Sequence, residues 1–223
     1  MVTINMKQTI KKQLQETGQY MMQYDLAWGN SGNISARTED NSFLITASGT
    51  YLGDLDLEDF VEYSLETNKC MTSGRKPSKE IPMHQAIYET RPEIGAVLHS
   101  SPLYSTLVAS SNLDIPSALF VEGMYYLERI ERVAYAHPGS INLGELVRDK
   151  AKKANILLLE NHGVLVYDTS IKEAKMALQT LEMACKMLLI SRKANVTLQE
   201  LPDNVVQGFL HESGYKPRRR WES

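Results

Sequence analysis

The sequence predicts an α/β protein, with helices layered on one central mixed, largely antiparallel sheet. Three observations carry this. Apolar residues recur at helical spacing in some segments and alternate in others; the two kinds of segment interleave along the chain; and several strand-like runs are joined by turns too short for a crossover helix. The length suits one domain over residues 1–223, since single α/β domains of this size are common. With 43% hydrophobic and 23% charged residues, the chain has apolar material for a full core and lacks the polarity of a disordered one.

Ile10, Leu14, Gly18, Met21, Met22 and Leu26 fall at helical spacing among lysines and glutamines, which predicts an opening helix from about Met6 to Leu26. GNSGNISAR ends it with glycine and asparagine. NISAR and SFLITAS, joined by the polar TEDN, read as a hairpin that closes on a Ser-Gly turn, and FVEYSLE alternates as a further strand. The loop GRKPSKEIP leads into a helix over MHQAIYETRP, stopped by Pro92. Next come a strand IGAVLH, a helix around PLYSTLVAS, a strand SALFVE, and a helix in PGSINLGELVRDKAKK. NILLLE and GVLVYD are strands, and a long amphipathic helix runs from Ile171 to about Arg192. The chain has no internal repeat and no low-complexity segment.

Lys+Arg number 24 and Asp+Glu 27, mixed along the chain for a net charge of -3, so nothing in the charge points to nucleic acid or a membrane surface as partner. One basic run, Lys216, Arg218, Arg219 and Arg220, forms a short tail from about residue 214. It reads as solvated, with a phosphate or partner contact as the other option. Cys70 and Cys185 are too few and too far apart for a disulfide framework or a thiolate metal site, which fits a reducing cytoplasm. The first residues do not form a signal peptide, and no apolar run is long enough to cross a bilayer.

The polar clusters GNSGNIS, TASGT, PSKE, LHSS and ENHG lie at strand ends or in loops, where α/β proteins place their sites. His99 ends a strand, and His162 repeats the arrangement in Asn161-His162-Gly163; each is either a ligand or a satisfied structural histidine. Glu80 stands at a loop-to-helix boundary, as a third ligand or as a carboxylate balancing a helix dipole. Two imidazoles and a carboxylate suit a divalent Zn, Mn or Fe ion. Glycine with Asn, Ser or Thr exposes backbone N–H groups and hydroxyls that suit a phosphate, and Lys79 beside Ser78 adds a cation; a plain turn is the other reading of each.

Taken in order, SGNIS, ITASG, PSKEIPMH, AVLHSS and LLLENHGVLV resemble the class II aldolase/adducin family, that of L-fuculose-1-phosphate aldolase and L-ribulose-5-phosphate 4-epimerase. The resemblance spans nearly the whole chain. It implies a single three-layer α/β/α domain, a homotetramer with active sites between subunits, a phosphorylated sugar substrate, and a divalent ion held by histidines beside an acidic residue. His99 and His162 take the first and third histidine positions, Glu80 that of the acid/base carboxylate, and Asn33, Ser48, Gly49 and Ser78 those that bind phosphate.

Three positions depart from the family pattern. Where the family reads His-x-His, this chain has His99-Ser100-Ser101, so the second imidazole is missing, with His137 in YAHPGS the candidate to replace it. Lys79 stands where aldolases often carry serine, and Ser-Lys-Glu resembles the sugar-acid-phosphate decarboxylase branch. Phe120 stands where fuculose-phosphate aldolases use a tyrosine as proton donor, with Tyr125 and Tyr126 close in sequence. His84 is expected to be structural, and His211 has no expected role. The resemblance implies first a retro-aldol cleavage of a ketose 1-phosphate to dihydroxyacetone phosphate and an aldehyde. Decarboxylation of a 3-oxo sugar-acid phosphate comes second, and a metal-free, adducin-like binding protein third.

Overall fold

The computed structural model describes residues 6–39, 41–219 and 221. Its centre is a sheet of eight strands: β1 (Asn33–Arg37), β2 (Ser42–Thr46), β3 (Phe60–Ser64), β4 (Lys69–Cys70), β5 (Ala96–Ser100), β6 (Ile130–Val133), β7 (Ile156–Leu159) and β8 (Gly163–Asp168). They lie in the order β4-β3-β2-β1-β5-β8-β7-β6. Every neighbouring pair is antiparallel except β6 with β7, so the sheet is mixed and largely antiparallel as expected.

The helices are α1 (Met6–Gln23), α2 (Ile81–Thr90), α3 (Leu103–Ala109), α4 (Val121–Tyr126), α5 (Ile141–Ala151), α6 (Ile171–Ala194) and α7 (Asp203–Glu212). Alternation along each strand splits the core in two. Val164 and Val166 of β8 face a layer that holds Leu14 and Met21 of α1 and Leu178 and Leu181 of α6. Leu165 and Tyr167 face the opposite layer, with Ile87 of α2 and Val147 of α5. The result is three layers, α/β/α. Among the described residues no helix is long and apolar enough to cross a membrane.

Two expectations fail here. SALFVE is not a strand: Phe120 precedes α4, whose Met124, Tyr125 and Tyr126 are buried in succession. A short apolar run does not separate strand from helix by period. Gly123 lets α4 pack closely on the segment before it, because a Cβ there would come within 2.7 Å of the Ser117 carbonyl oxygen. The sheet edge is filled instead by β6, whose Glu131 and Arg132 obscure the strand pattern; Glu131 pairs with Lys150, and Arg132 donates to backbone carbonyls.

The basic tail is not solvated. Lys216 bridges Glu173, Arg218 takes both carboxylate oxygens of Glu128, and Arg219 pairs with Asp168 and donates to the Tyr125 carbonyl. Trp221 Nε1–H also donates to Glu128. Arg220 lies outside the described residues. The Arg219 and Asp168 side chains are 6% and 5% exposed, so this pair is desolvated on both sides. The tail roofs a cavity of about 750 Å³ at the end of β8 remote from His162. Because Arg219→Ala would leave Asp168 charged and buried, it is expected to cost about 3 kcal/mol or more of unfolding free energy, measured by urea denaturation. An unchanged midpoint would mean the tail is not docked in solution.

Candidate metal centre and acid–base site

The site lies at one end of the three central strands. Because β5 runs antiparallel to both β1 and β8, the start of β1, the end of β5 and the start of β8 fall side by side: Asn33 is opposite His99, and Ser100 opposite Val164. Backbones pack closely here, and two glycines make that contact sterically possible. A Cβ on Gly32 would lie 2.6 Å from the His99 carbonyl oxygen. One on Gly163 would lie 2.5 Å from that of Ser100, and both glycines have positive φ.

His99, Glu80 and His162 come from three separate elements. His99 sits in β5, Glu80 immediately precedes α2, and His162 closes the 160–162 turn between β7 and β8, where Asn161 adopts the left-handed conformation. Ser78 stabilises the approach to α2, its hydroxyl accepting the Glu80 backbone N–H. Nε2 of His99 is 3.2 Å from one Glu80 carboxylate oxygen, and Nε2 of His162 is 3.2 Å from the other. One donor atom from each residue falls in a group within 4.8 Å of one another.

Hydrogen bonding fixes what those atoms are. His99 Nδ1 lies 3.0 Å from the Val164 carbonyl, which only accepts, so Nδ1 carries the proton. Burial holds His99 below the usual imidazole range against the pull of Glu80, which makes the ring neutral and leaves Nε2 a bare acceptor. Burial pushes the Glu80 carboxyl up, but the His99 and His162 rings and the Asn33 amide outweigh it and bring it down to about 2. A lone pair thus faces a carboxylate. A cation between them would make this arrangement favourable, and Glu80 Oε1, on the His162 side, is buried without a hydrogen-bond partner. Two imidazole nitrogens and a carboxylate fit Zn2+, Mn2+ or Fe2+, as expected from the residues.

The other expected residues sort differently. Ser48 and Gly49 are exposed on a turn whose strand runs beside 76–78: Ser48 N–H donates to the Lys76 carbonyl, and Ser78 N–H to that of Thr46. Lys79 is exposed next to Glu80, and Gly139 packs on its backbone. Asn33 is turned inward: its Nδ2 donates to Glu80 Oε2 at 2.6 Å and its Oδ1 meets His84 Nε2 at 2.5 Å. Ser101 is already committed, its hydroxyl donating to the His162 carbonyl at 3.0 Å. It fastens the His162 turn to β5, and Trp28 Nε1–H in turn donates to the Ser101 carbonyl.

His137 is exposed, pairs with the Tyr135 hydroxyl, and is outside the three-residue group; its loop packs against Lys79 at Gly139. His211 is exposed on α7. Tyr125 and Tyr126 lie by the tail, near Asp168 at the far end of β8 from His162. Within one subunit neither hydroxyl lies beside His99, His162 and Glu80. His84, expected as a structural residue of the helix after Glu80, reaches Glu80 through Asn33, and Trp28, for which the sequence raises no expectation, holds the Ser101 carbonyl.

Comparison with known proteins gives the family. The Class II Aldolase and Adducin N-terminal domain matches residues 12–189. The chain belongs to this family. It is 34% identical over 163 residues to a 3-oxo-tetronate 4-phosphate decarboxylase of Haemophilus influenzae, covering 71% of this chain and 77% of that one. It is 33% identical over 164 residues to an L-fuculose phosphate aldolase of Methanocaldococcus jannaschii, covering 73% and 86%. The crystal structure of YgbL from Escherichia coli superimposes with a TM-score of 0.81 at 25% identity, over 92% of this chain and 99% of that one. An aldolase-type lyase of a metal-dependent family is therefore the right class.

Two predictions follow from the geometry. His99→Ala should reduce the affinity for Mn2+ or Zn2+, measured by calorimetry, by at least about 100-fold while the protein stays folded; unchanged binding would return His99 to the core. His84 is fully buried, and burial, with the His99 ring adding to it, lowers its pKa to about 3 from 6.5. Between those values the unfolded chain holds a proton there that the folded chain does not, so stability falls as pH drops below 6.5. The slope approaches ~1.4 kcal/mol per pH unit from this group. His84→Gln should flatten that part of the stability–pH curve in metal-free protein, and an unaltered slope would mean His84 is already protonated when folded.

Proposed function

We propose that the protein decarboxylates a 3-oxo sugar-acid phosphate, using a divalent ion held by His99, His162 and Glu80. The observation that carries this reading is the inventory of proton-handling groups. Phe120 has no proton to give, and the nearby Tyr125 and Tyr126 are held at the far end of β8. Retro-aldol cleavage must take a proton from a substrate hydroxyl and return one to carbon. Decarboxylation needs only the return, because loss of CO2 itself generates the enediolate.

When bound, the ion supplies Lewis-acid stabilisation of the negative charge that develops on the substrate's carbonyl and hydroxyl oxygens. The chain's residues do the rest. Lys79, exposed beside Glu80, faces solvent as a cation for the substrate carboxylate or phosphate. The exposed Ser48-Gly49 turn offers the Ser48 hydroxyl and the Gly49 N–H to the phosphate, with the Ser78 hydroxyl beside them, so that binding energy remote from the reacting carbons orients them. Asn33, with both ends of its amide engaged, serves Glu80 in this reading and not the phosphate.

The bond between the carboxylate carbon and its neighbour breaks. Its electron pair stays with the sugar as the enediolate and CO2 leaves. One proton must then reach that carbon, and Glu80 Oε1, which has no hydrogen-bond partner, is the carboxylate oxygen that would carry it. From 3-oxo-tetronate 4-phosphate the product is dihydroxyacetone phosphate. The decarboxylase name of the Haemophilus influenzae relative and the Ser78-Lys79-Glu80 sequence support this reading.

Retro-aldol cleavage is the second reading, favoured by the aldolase name of the Methanocaldococcus jannaschii relative and by the shared enediolate. A homotetramer with sites between subunits, in the cytoplasm, belongs to either. The intact donor group argues against a metal-free binding protein.

One assay decides. Metal-loaded protein is given 3-oxo-tetronate 4-phosphate or L-fuculose 1-phosphate, and dihydroxyacetone phosphate is followed by coupled NADH oxidation. Turnover of the oxo acid alone, reduced at least about tenfold by Lys79→Met, is expected; turnover of the ketose phosphate alone would replace this reading with the aldolase.

A further inference from the structure

We propose that Tyr88, Ser35, His84 and Asn33 form a one-way hydrogen-bond relay that orients Glu80, which makes His84 a positioning residue of the site. The inference rests on the reading of Glu80 as ligand and acid–base group.

The chain of contacts is continuous. Tyr88 Oη lies 2.8 Å from Ser35 Oγ, and Ser35 Oγ lies 2.7 Å from His84 Nδ1. His84 Nε2 lies 2.5 Å from Asn33 Oδ1, and Asn33 Nδ2 lies 2.6 Å from Glu80 Oε2. Direction follows from Glu80. A carboxylate only accepts, so the Asn33 amide must turn Nδ2 toward it and Oδ1 toward His84. Oδ1 only accepts, so His84 Nε2 carries the ring proton. Burial keeps the ring neutral, so Nδ1 is a lone pair and Ser35 donates to it. The single Ser35 proton is then used, and the Tyr88 hydroxyl donates to Ser35. Every link has one sense.

Two periodicities bring these groups into line. His84 and Tyr88 are four residues apart on α2, a rise of about 6 Å along one face. Asn33 and Ser35 are two apart on β1, about 6.7 Å along one face of the sheet. The two rows therefore mesh, polar group to polar group, inside a layer otherwise built from Phe43, Ile45, Ile87 and Val97. Ser35 and His84 are fully buried and Tyr88 nearly so. An apolar set of similar volume would fill this space without the desolvation of four polar side chains, so packing alone does not account for the row.

What the relay supplies is a defined amide. The terminal torsion of Asn is broad and two-fold, so an unconstrained Asn33 is free to present Oδ1 to Glu80, acceptor against acceptor, and displace the carboxylate from His99 and His162. The His84 donor removes that option.

The test uses the full-length chain and Mn2+ binding by calorimetry. His84→Gln keeps a donor near the Nε2 position and should bind within about threefold of wild type, whereas His84→Leu should bind about 10- to 100-fold more weakly. Equal affinities in the two variants would overturn the proposal, because a structural role predicts altered melting without a difference in the affinity of folded protein. If His84→Leu does not fold, the metal-free wild type decides by long-range 1H–15N NMR. The Nε2–H tautomer at His84 sustains the relay and the Nδ1–H tautomer overturns it. Wild-type protein that binds no metal would defeat the reading of Glu80 as a ligand, and the tautomer would still settle the relay.

Discussion

An acceptor facing an acceptor is the constraint on which the site depends. His99 spends its only ring proton on the Val164 carbonyl, so the nitrogen it turns toward Glu80 carries a lone pair, and Glu80 is a carboxylate. In a buried setting that contact is repulsive unless a cation lies between. The bond to Val164 exists because β5 and β8 are paired antiparallel, with Ser100 opposite Val164. Sheet topology therefore sets the tautomer, and the tautomer sets the chemistry. The same order brings Asn33 beside His99 from the other side, so the one carboxylate is met by groups from two neighbouring strands and from the turn that leads into β8.

Much of the fold is legible in the sequence because burial and period agree there. NISAR and SFLIT form a hairpin, and NILLLE and GVLVYD are apolar enough to predict central strands. The long helix α6 is marked by its period and by Ser170, whose side chain accepts the Glu173 N–H at its start. The pattern fails where tertiary contacts outweigh it. β6 lies at the sheet edge with Glu131 and Arg132 paired to neighbours, so its sequence resembles a surface loop. The tail shows only a basic run. Its acidic partners Glu128, Asp168 and Glu173 come from three distant segments that no local reading joins.

The site divides along the same line. His99, His162 and Glu80 are legible because strand ends and loop boundaries are where chains display chemistry, and their ordered motifs are specific. Asn33 and Ser101 have roles that spacing does not reveal. Asn33 looks like part of a Gly-Asn-Ser turn for an anion, yet its register in β1 points it at α2 and Glu80. Ser101 looks like a missing ligand, yet its hydroxyl is the fastening between β5 and the His162 turn. The relay behind Asn33 becomes visible only when a helical period of four and a strand period of two are laid against each other.

That fastening bears on how a site with one fewer imidazole works. A ligand set drawn from three elements binds a cation well only if those elements are already in place, since ordering them on binding would subtract from the affinity. Here each is held independently of any cation. His99 is tied to Val164, the His162 turn is tied by Ser101, and Glu80 is held through Asn33. Gly32 and Gly163 let the backbones behind them approach more closely than any side chain would permit. Ser101 thus contributes order where a histidine would contribute a bond. The donor group that results is smaller, but its three side chains are held in place by contacts that need no cation.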